Sequence, residues 1–512
     1  MSTDRRLVVS ALLAIECLAL RAQAAAPASC AALAGYRLEG GVINEARLVS
    51  EPRSYCRVTM TLAPTRDSAI RAELWLPPPE SWNGKFQGVG NGGLAGDIPT
   101  MALEAGLARG YATVATDTGH DNATGVGRFA LGHPEKIVDY GHRATHVTAV
   151  AGQAITAAFY GRAPRHSYFV GCSQGGQEAL MEAQRYPQDY DGIIAGDPDY
   201  NQTHHEVGAH LWVVATLYDD PASHLGVAQA QLVGDAVNRA CDVLDGVRDG
   251  VLEDPRRCHY DPGALQCRGG DRPDCLSSAQ VQAVRRLWAG PDSVAGAGYY
   301  PGLERGGEAA LWSGWIIAPS AANNTHGALG LPFFQYFVYG DPAWDFRRFD
   351  FRAGPAMVDS HLADAIDAID PDLRSFQRRG GKLLHYHGFN DPDVPPRSSI
   401  EYHDRVQALA QARGESGAVD GYYRLFMVPG MGHCGGGPGP NSFDMLAALE
   451  HWVENGVAPQ RILATKFQDD DPHRAVLRTR PLCPYPRSAR YLGHGSSDEA
   501  SNFSCRRSLD GQ

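Results

Sequence analysis

Residues 167–176 read Ser167-Tyr168-Phe169-Val170-Gly171-Cys172-Ser173-Gln174-Gly175-Gly176, and residues 177–186 continue in a helical pattern. A strand running into Gly-x-Ser-x-Gly and then into a helix is the arrangement of a nucleophile elbow, in which small flanking residues permit a turn tight enough to project the serine hydroxyl. The five-residue pattern alone is weak, and a glycine-rich turn with an ordinary serine is the competing reading. The strand-turn-helix setting favours the elbow. A serine at a helix N-terminus also faces free backbone N–H groups, and the Gln174 amide is the expected donor to a developing oxyanion.

A serine hydroxyl needs a base, and in hydrolases with this elbow the chain order is Ser, acid, His. Two later loops follow strand-like runs: His387-Gly388-Phe389-Asn390-Asp391-Pro392 and Pro429-Gly430-Met431-Gly432-His433-Cys434. Ligands bind where such loops leave a parallel sheet. Asp391 is therefore the expected acid, with Asp393 as a less favoured alternative further from the strand end, and His433 is the expected base. His120, His133 and His146 precede the serine and break the order, whereas His385 and His387 fall within or just after a strand as packed residues. Cys172 adjoins Ser173 and Cys434 adjoins His433, so bringing nucleophile and base together also brings two sulfurs together. A disulfide there is expected to hold the base beside the nucleophile; the alternative is two buried thiols.

Outward from the elbow, strands are expected at 71–76, 85–89, 111–116, 192–196, 382–387 and 423–428, with helices over 143–160 and 442–454. Alternating strands and helices indicate a parallel sheet covered on both faces, an α/β fold. From about 201 to 376 the rhythm is lost among Asp, Trp, Pro and four cysteines, which marks an inserted lid domain between catalytic segments 25–200 and 377–512.

The N-terminus reads as an export signal over residues 1–24: Arg5 and Arg6, an apolar run from Leu7 to Leu20, and Ala22-Gln23-Ala24 as a cleavage site. A secreted or periplasmic protein is expected. Removing Cys17 with the signal leaves an even set of cysteines, which favours disulfides in an exported chain. The economical pairing is Cys30/Cys56, Cys241/Cys258, Cys267/Cys275 and Cys483/Cys505 beside Cys172/Cys434. A formal net charge of -12 argues against nucleic acid as a partner, and no run after the signal is apolar enough to span a bilayer. The sequence carries no signal of oligomeric state.

Residues 241–251, Cys-Asp-Val-Leu-Asp-Gly-Val-Arg-Asp-Gly-Val, space three carboxylates around glycine turns. Asp242, Asp245 and Asp249 with the carbonyls of Val247 and Val251 could supply the oxygens a Ca²⁺ ion needs, though not as an EF-hand; a solvated acidic loop is the alternative.

Together the motifs Gly171-Cys172-Ser173-Gln174-Gly175-Gly176, His387-Gly388-Phe389-Asn390-Asp391, Gly432-His433-Cys434, the 242–251 loop, Trp82-Asn83-Gly84-Lys85-Phe86 and Gly90-Asn91-Gly92-Gly93 resemble the tannase and feruloyl esterase family, which includes mono(2-hydroxyethyl) terephthalate hydrolases. The resemblance spans about Cys30 to Cys505. It implies an α/β-hydrolase core with a lid, Ser173 as nucleophile, His433 as base, Asp391 as orienting acid, a Cys172–Cys434 disulfide and a structural lid calcium on Asp242, Asp245, Val247, Asp249 and Val251. It also places the second oxyanion amide in the Gly92-Gly93 turn. The expected activity is hydrolysis of small hydroxycinnamoyl or galloyl esters by a secreted serine carboxylesterase. A terephthalate half-ester hydrolase is the rival enzyme, and a noncatalytic phenolic or carbohydrate binder the rival of another class. Trp312, Trp315, Phe333, Phe334, Tyr336 and Phe337 could line an acyl pocket or form lid core.

Overall fold

A computed structural model describes residues 28–270, 272 and 274–507; the expected export segment, with Cys17, lies outside the described residues. The chain forms a nine-stranded sheet from β1 (Gly41–Val49), β2 (Tyr55–Leu62), β3 (Ile70–Leu76), β4 (Lys85–Val89), β5 (Ala112–Thr116), β6 (His166–Cys172), β7 (Gly192–Gly196), β8 (Lys382–Gly388) and β9 (Tyr423–Val428). Their order is β1-β2-β3-β5-β4-β6-β7-β8-β9. From β5 to β9 every pairing is parallel, whereas β1, β2, β3 and β5 pair antiparallel.

Burial explains both halves. β5 and β7 are buried at every position, as continuous apolar strands covered on both faces must be. β2 alternates, with Cys56, Val58, Met60 and Leu62 inward and Tyr55, Arg57, Thr59 and Thr61 less covered. Helix α1 (Ala144–Tyr160) leads into β6, and α2 (Gln174–Arg185) starts directly after Ser173, three residues earlier than its apolar pattern suggests.

Between β7 and β8 lies a largely helical insertion. Its helices include α3 (Val227–Cys241) and α4 (Ser278–Ala289), the latter opened by a Ser277/Gln280 capping box. Val213, Leu217, Val233, Val237, Leu287 and Trp312 form a core of its own. A second cluster joins Phe333, Phe334 and Phe337 of the insertion to Leu94, Phe129 and Tyr140 of the sheet domain. After β8 come α5 (Arg397–Ala412) and α6 (Met445–Asn455); α6 is capped by Asp444 through the Ala447 N–H at 2.9 Å, which sets its start later than residue 442.

Further strands, some in two separate two-stranded sheets, form where the sequence shows no clear strand. β1 and β2 extend the edge of the nine-stranded sheet, and two antiparallel pairs follow α6: β10 (Ile462–Phe467) with β11 (Val476–Leu482), and β12 (Arg487–Tyr491) with β13 (Phe503–Arg507). Five disulfides join Cys30–Cys56, Cys172–Cys434, Cys241–Cys258, Cys267–Cys275 and Cys483–Cys505. Such a set belongs to an oxidising compartment. No helix among the described residues is long and apolar enough to cross a membrane.

Candidate active site

Strands β4, β6, β7, β8 and β9 run parallel, so the residues that follow them gather at one sheet edge: Asn91, Ser173, Asp197, Asp391 and His433. Ser173 holds φ 65° and ψ -125°, a conformation that costs an L-residue energy and persists where the surroundings over-determine it. They do so by contact: a Cβ on Gly171 would lie 2.1 Å from the Gly175 carbonyl oxygen, and one on Gly175 would lie 2.9 Å from that of Asn91. Only glycine fits either position.

In α2 the N–H groups of Gly176 and Gln177 go to the Ser173 carbonyl and that of Gly175 to the Asn91 carbonyl. Among the described residues this leaves the Gln174 N–H as the first-turn amide without a protein acceptor. The Gln174 side chain is held by the Tyr140 hydroxyl at 2.9 Å. The facing Asn91-Gly92-Gly93 turn is anchored by Glu178, whose buried carboxylate accepts the Asn91 backbone N–H and side-chain amide, both at 3.1 Å. Gly93 has φ 56°, and Leu329 of the insertion lies over it.

His433 Nδ1 lies 2.7 Å from Asp391 Oδ2. The other Asp391 oxygen accepts the N–H groups of Asp393 at 2.8 Å and Val394 at 3.0 Å, and His387 Nε2 lies 3.2 Å from Oδ2. Every site on the carboxylate is therefore satisfied in a buried setting. Burial alone would lower the His433 pKa, but Asp391, by charge and hydrogen bond, and then Asp393 and Asp197 raise it well above 6.5. Of the two candidate acids, Asp391 holds the Nδ1 side, while Asp393 stands 3.6 Å from Nε2. His385 is a packed strand residue bonded to Tyr423 at 2.9 Å and Ser399 at 2.7 Å.

The Cys172–Cys434 disulfide brings the neighbours of Ser173 and His433 to a Cα separation of 6.0 Å. Cys434 has φ 57°, a second strained residue at this spot. Beneath it lies Asp197, which the sequence reading missed. Its two oxygens accept the N–H of Gly388 at 2.6 Å and of Cys434 at 3.1 Å, tying the Asp391 and His433 loops together. Burial, chiefly, pushes its carboxyl up to about 6. The signal for it was an acid immediately after a buried strand, the same signal that marked Asp391.

In the 242–251 loop, Asp242 accepts the N–H groups of Asp249 and Gly250, Asp245 those of Val247 and Glu253, and Asp249 that of Val251. Burial raises the Asp245 carboxyl to about 6, and the charges of Asp249 and Asp242 add to the rise. An all-oxygen set of mutually repelling carboxylates fits a hard cation. Asp249 also pairs with Arg480 and, at 3.3 Å, with Arg478, so the loop is fastened to β11.

The aromatic candidates separate clearly. Trp312, Phe333, Phe334 and Phe337 are core, and Tyr336 packs against it. Trp315 is half-buried and meets the His433 ring edge-on at 5.2 Å.

The family model for tannase and feruloyl esterase matches residues 56–506. The chain belongs to the tannase and feruloyl esterase family. It is 37% identical to an uncharacterized esterase of Xanthomonas campestris pv. campestris, over 95% of this chain and 92% of that protein. It is 35% identical to the mono(2-hydroxyethyl) terephthalate hydrolase of Piscinibacter sakaiensis, over 84% of this chain and 80% of that protein. Among solved structures it superposes on feruloyl esterase B from Aspergillus oryzae with a TM-score of 0.81 and 28% identity, covering 92% of this chain and 98% of that one. This member of the tannase and feruloyl esterase family is thus a carboxylic ester hydrolase with an α/β-hydrolase core.

Proposed function

We propose that the protein is a secreted serine esterase that cleaves small esters of hydroxycinnamic or gallic acids through an acyl-enzyme on Ser173. The observation that carries the reading is the His433–Asp391 pair at 2.7 Å, on a loop disulfide-bonded to the residue before an elbow serine. Ser173 Oγ attacks the ester carbonyl carbon as its proton passes to His433 Nε2, while Asp391 holds the Nδ1–H and offsets the imidazolium charge. The carbonyl oxygen becomes an oxyanion received by the N–H of Gln174 and an N–H of the Gly92-Gly93 turn. Collapse breaks the bond to the alcohol, which leaves with the proton from His433. Water then attacks the acyl-enzyme by the same route, releasing the acid and restoring the serine.

Residues 201–376 act as the lid in this reading, and Trp315 beside His433 gives the acyl group an aromatic wall. The relatives support aromatic esters: one is named for feruloyl esters and one for a terephthalate half-ester. A half-ester substrate needs a cation for its free carboxylate. Kinetics on methyl ferulate, methyl gallate, the terephthalate half-ester and an aliphatic ester test this: the first two should lead in kcat/KM, and preference for the aliphatic ester would contradict it.

Ca²⁺ on Asp242, Asp245, Asp249 and the carbonyls of Val247 and Val251 is part of the same reading, with a structural role in the lid. Export through the N-terminal signal and its removal complete it, consistent with five disulfides.

A further inference from the structure

A second acid faces the imidazole from the side opposite Asp391. Asp393 Oδ2 lies 3.6 Å from His433 Nε2, the atom that must take the proton of Ser173. An uncompensated carboxylate there would stabilise the imidazolium and compete with the serine for Nε2. The insertion supplies a compensation. Asp393 Oδ1 lies 3.1 Å from His210 Nε2, and His210 Nδ1 lies 2.9 Å from Glu206 Oε2.

All three groups are buried, with relative exposures of 3% for Asp393, 2% for His210 and 1% for Glu206. Glu206 and His210 share the π-helical segment Glu206–Leu211, a helix irregularity of the kind that gathers at functional sites. Two carboxylates around one imidazole hold it as imidazolium against the effect of burial. The rings of His205 and His326 face it at 4.3 and 4.9 Å. His326 donates its Nε2–H to the Pro392 carbonyl at 2.8 Å, with Asp393 Oδ1 3.6 Å from the same nitrogen, and burial pushes its pKa down to about 4, so it is neutral. His205 lies 2.9 Å from Asp199 and 3.1 Å from the Asp393 carbonyl. Around His433 itself stand Asp391, Asp393 and Asp197, with His387 behind Asp391.

We propose that His210 is a positioning residue for the base: held between Glu206 and Asp393, it commits Asp393 to the lid and offsets its charge, leaving His433 Nε2 to serve Ser173. The inference rests on the assignment of Ser173 and His433 above. It also gives the lid a direct electrostatic hold on the chemistry, because Glu206 and His210 belong to the insertion and Asp393 to the loop of the catalytic acid.

The test is the pH dependence of Ser173 inactivation by a fluorophosphonate, followed together with kcat/KM on methyl ferulate. His210→Gln keeps a side chain of similar reach but removes the charge. Its acid limb should move up by about one pH unit, so that inactivation below the limb slows roughly tenfold while the alkaline plateau is retained. Asp393→Asn should move the limb down, and in the double variant His210→Gln with Asp393→Asn the upward shift should vanish. An unmoved limb in His210→Gln, or an equal loss at every pH, overturns the inference. Should His210→Gln not fold, Asp393→Asn decides, and an unmoved limb there overturns it. Failure of the wild-type enzyme to be labelled at Ser173 defeats the underlying esterase mechanism instead.

Discussion

Asp197 Oδ2 accepts the backbone N–H of Cys434 at 3.1 Å, and through its other oxygen the same carboxylate holds Gly388 at 2.6 Å. One buried side chain after β7 thus fixes the start of the Asp391 loop and the residue after His433, the proposed base. Asn in its place retains one accepting oxygen and turns a donor toward a donor. Asp197→Asn should lower kcat by roughly tenfold to a hundredfold with KM little changed, because misplacing a catalytic group costs rate more than binding. Steady-state kinetics on methyl ferulate check this, and an unchanged kcat contradicts it.

The Cys172–Cys434 disulfide closes a sequence separation of 262 residues. The chain-entropy model assigns such a loop about 5.6 kcal/mol, less whatever strain the native state bears. Its local effect is on the site. Cys172→Ala with Cys434→Ala should lower kcat/KM by about tenfold or more while circular dichroism shows the helical lid intact. Equal activity in the double variant would show the linkage to be dispensable.

The His433 pKa is raised in the folded enzyme above its ordinary 6.5. A base with a raised pKa keeps its proton to higher pH, so the active, neutral form accumulates on the alkaline side. The kcat/KM profile should therefore climb through an apparent pKa above 6.5. An acid limb at or below that value contradicts the electrostatic account.

A ligand that binds only the native state stabilises it by mass action. If the 242–251 loop holds Ca²⁺, chelation should lower Tm by about 5 °C or more, and Asp245→Asn should abolish the difference. Scanning calorimetry with excess calcium or EGTA reads this without reference to activity. Identical Tm in both conditions would leave the loop without its metal.

The placement of the candidate site was legible in the sequence wherever a residue follows an apolar strand at a glycine-bearing turn. Ser173, Asp391 and His433 all do, and the two flanking cysteines link the elbow to the last loop. Asp197 obeys the same rule, but Gly196-Asp197-Pro198 carries no glycine-rich signature beyond it, so only the register of β7 against β8 reveals its reach. Glu178 lies in the middle of a helix, where a carboxylate ordinarily faces water; its burial against Asn91 is a tertiary fact. Strands β10 to β13 carry no apolar run in the sequence because Lys466, Arg478, Arg480, Arg487, Arg490 and Arg506 interrupt it. The aromatic segment 333–337 has one pattern for core and pocket alike, and only packing separates Trp315 from Trp312.

The central claim is that the hydroxyl of Ser173 is the nucleophile driven by His433. Treating the protein with a fluorophosphonate and locating the adduct by peptide mass spectrometry tests it most directly. A single adduct on Ser173, lost in His433→Ala together with methyl ferulate hydrolysis, is the predicted result. An adduct elsewhere, or hydrolysis at the wild-type rate in Ser173→Ala, contradicts the account.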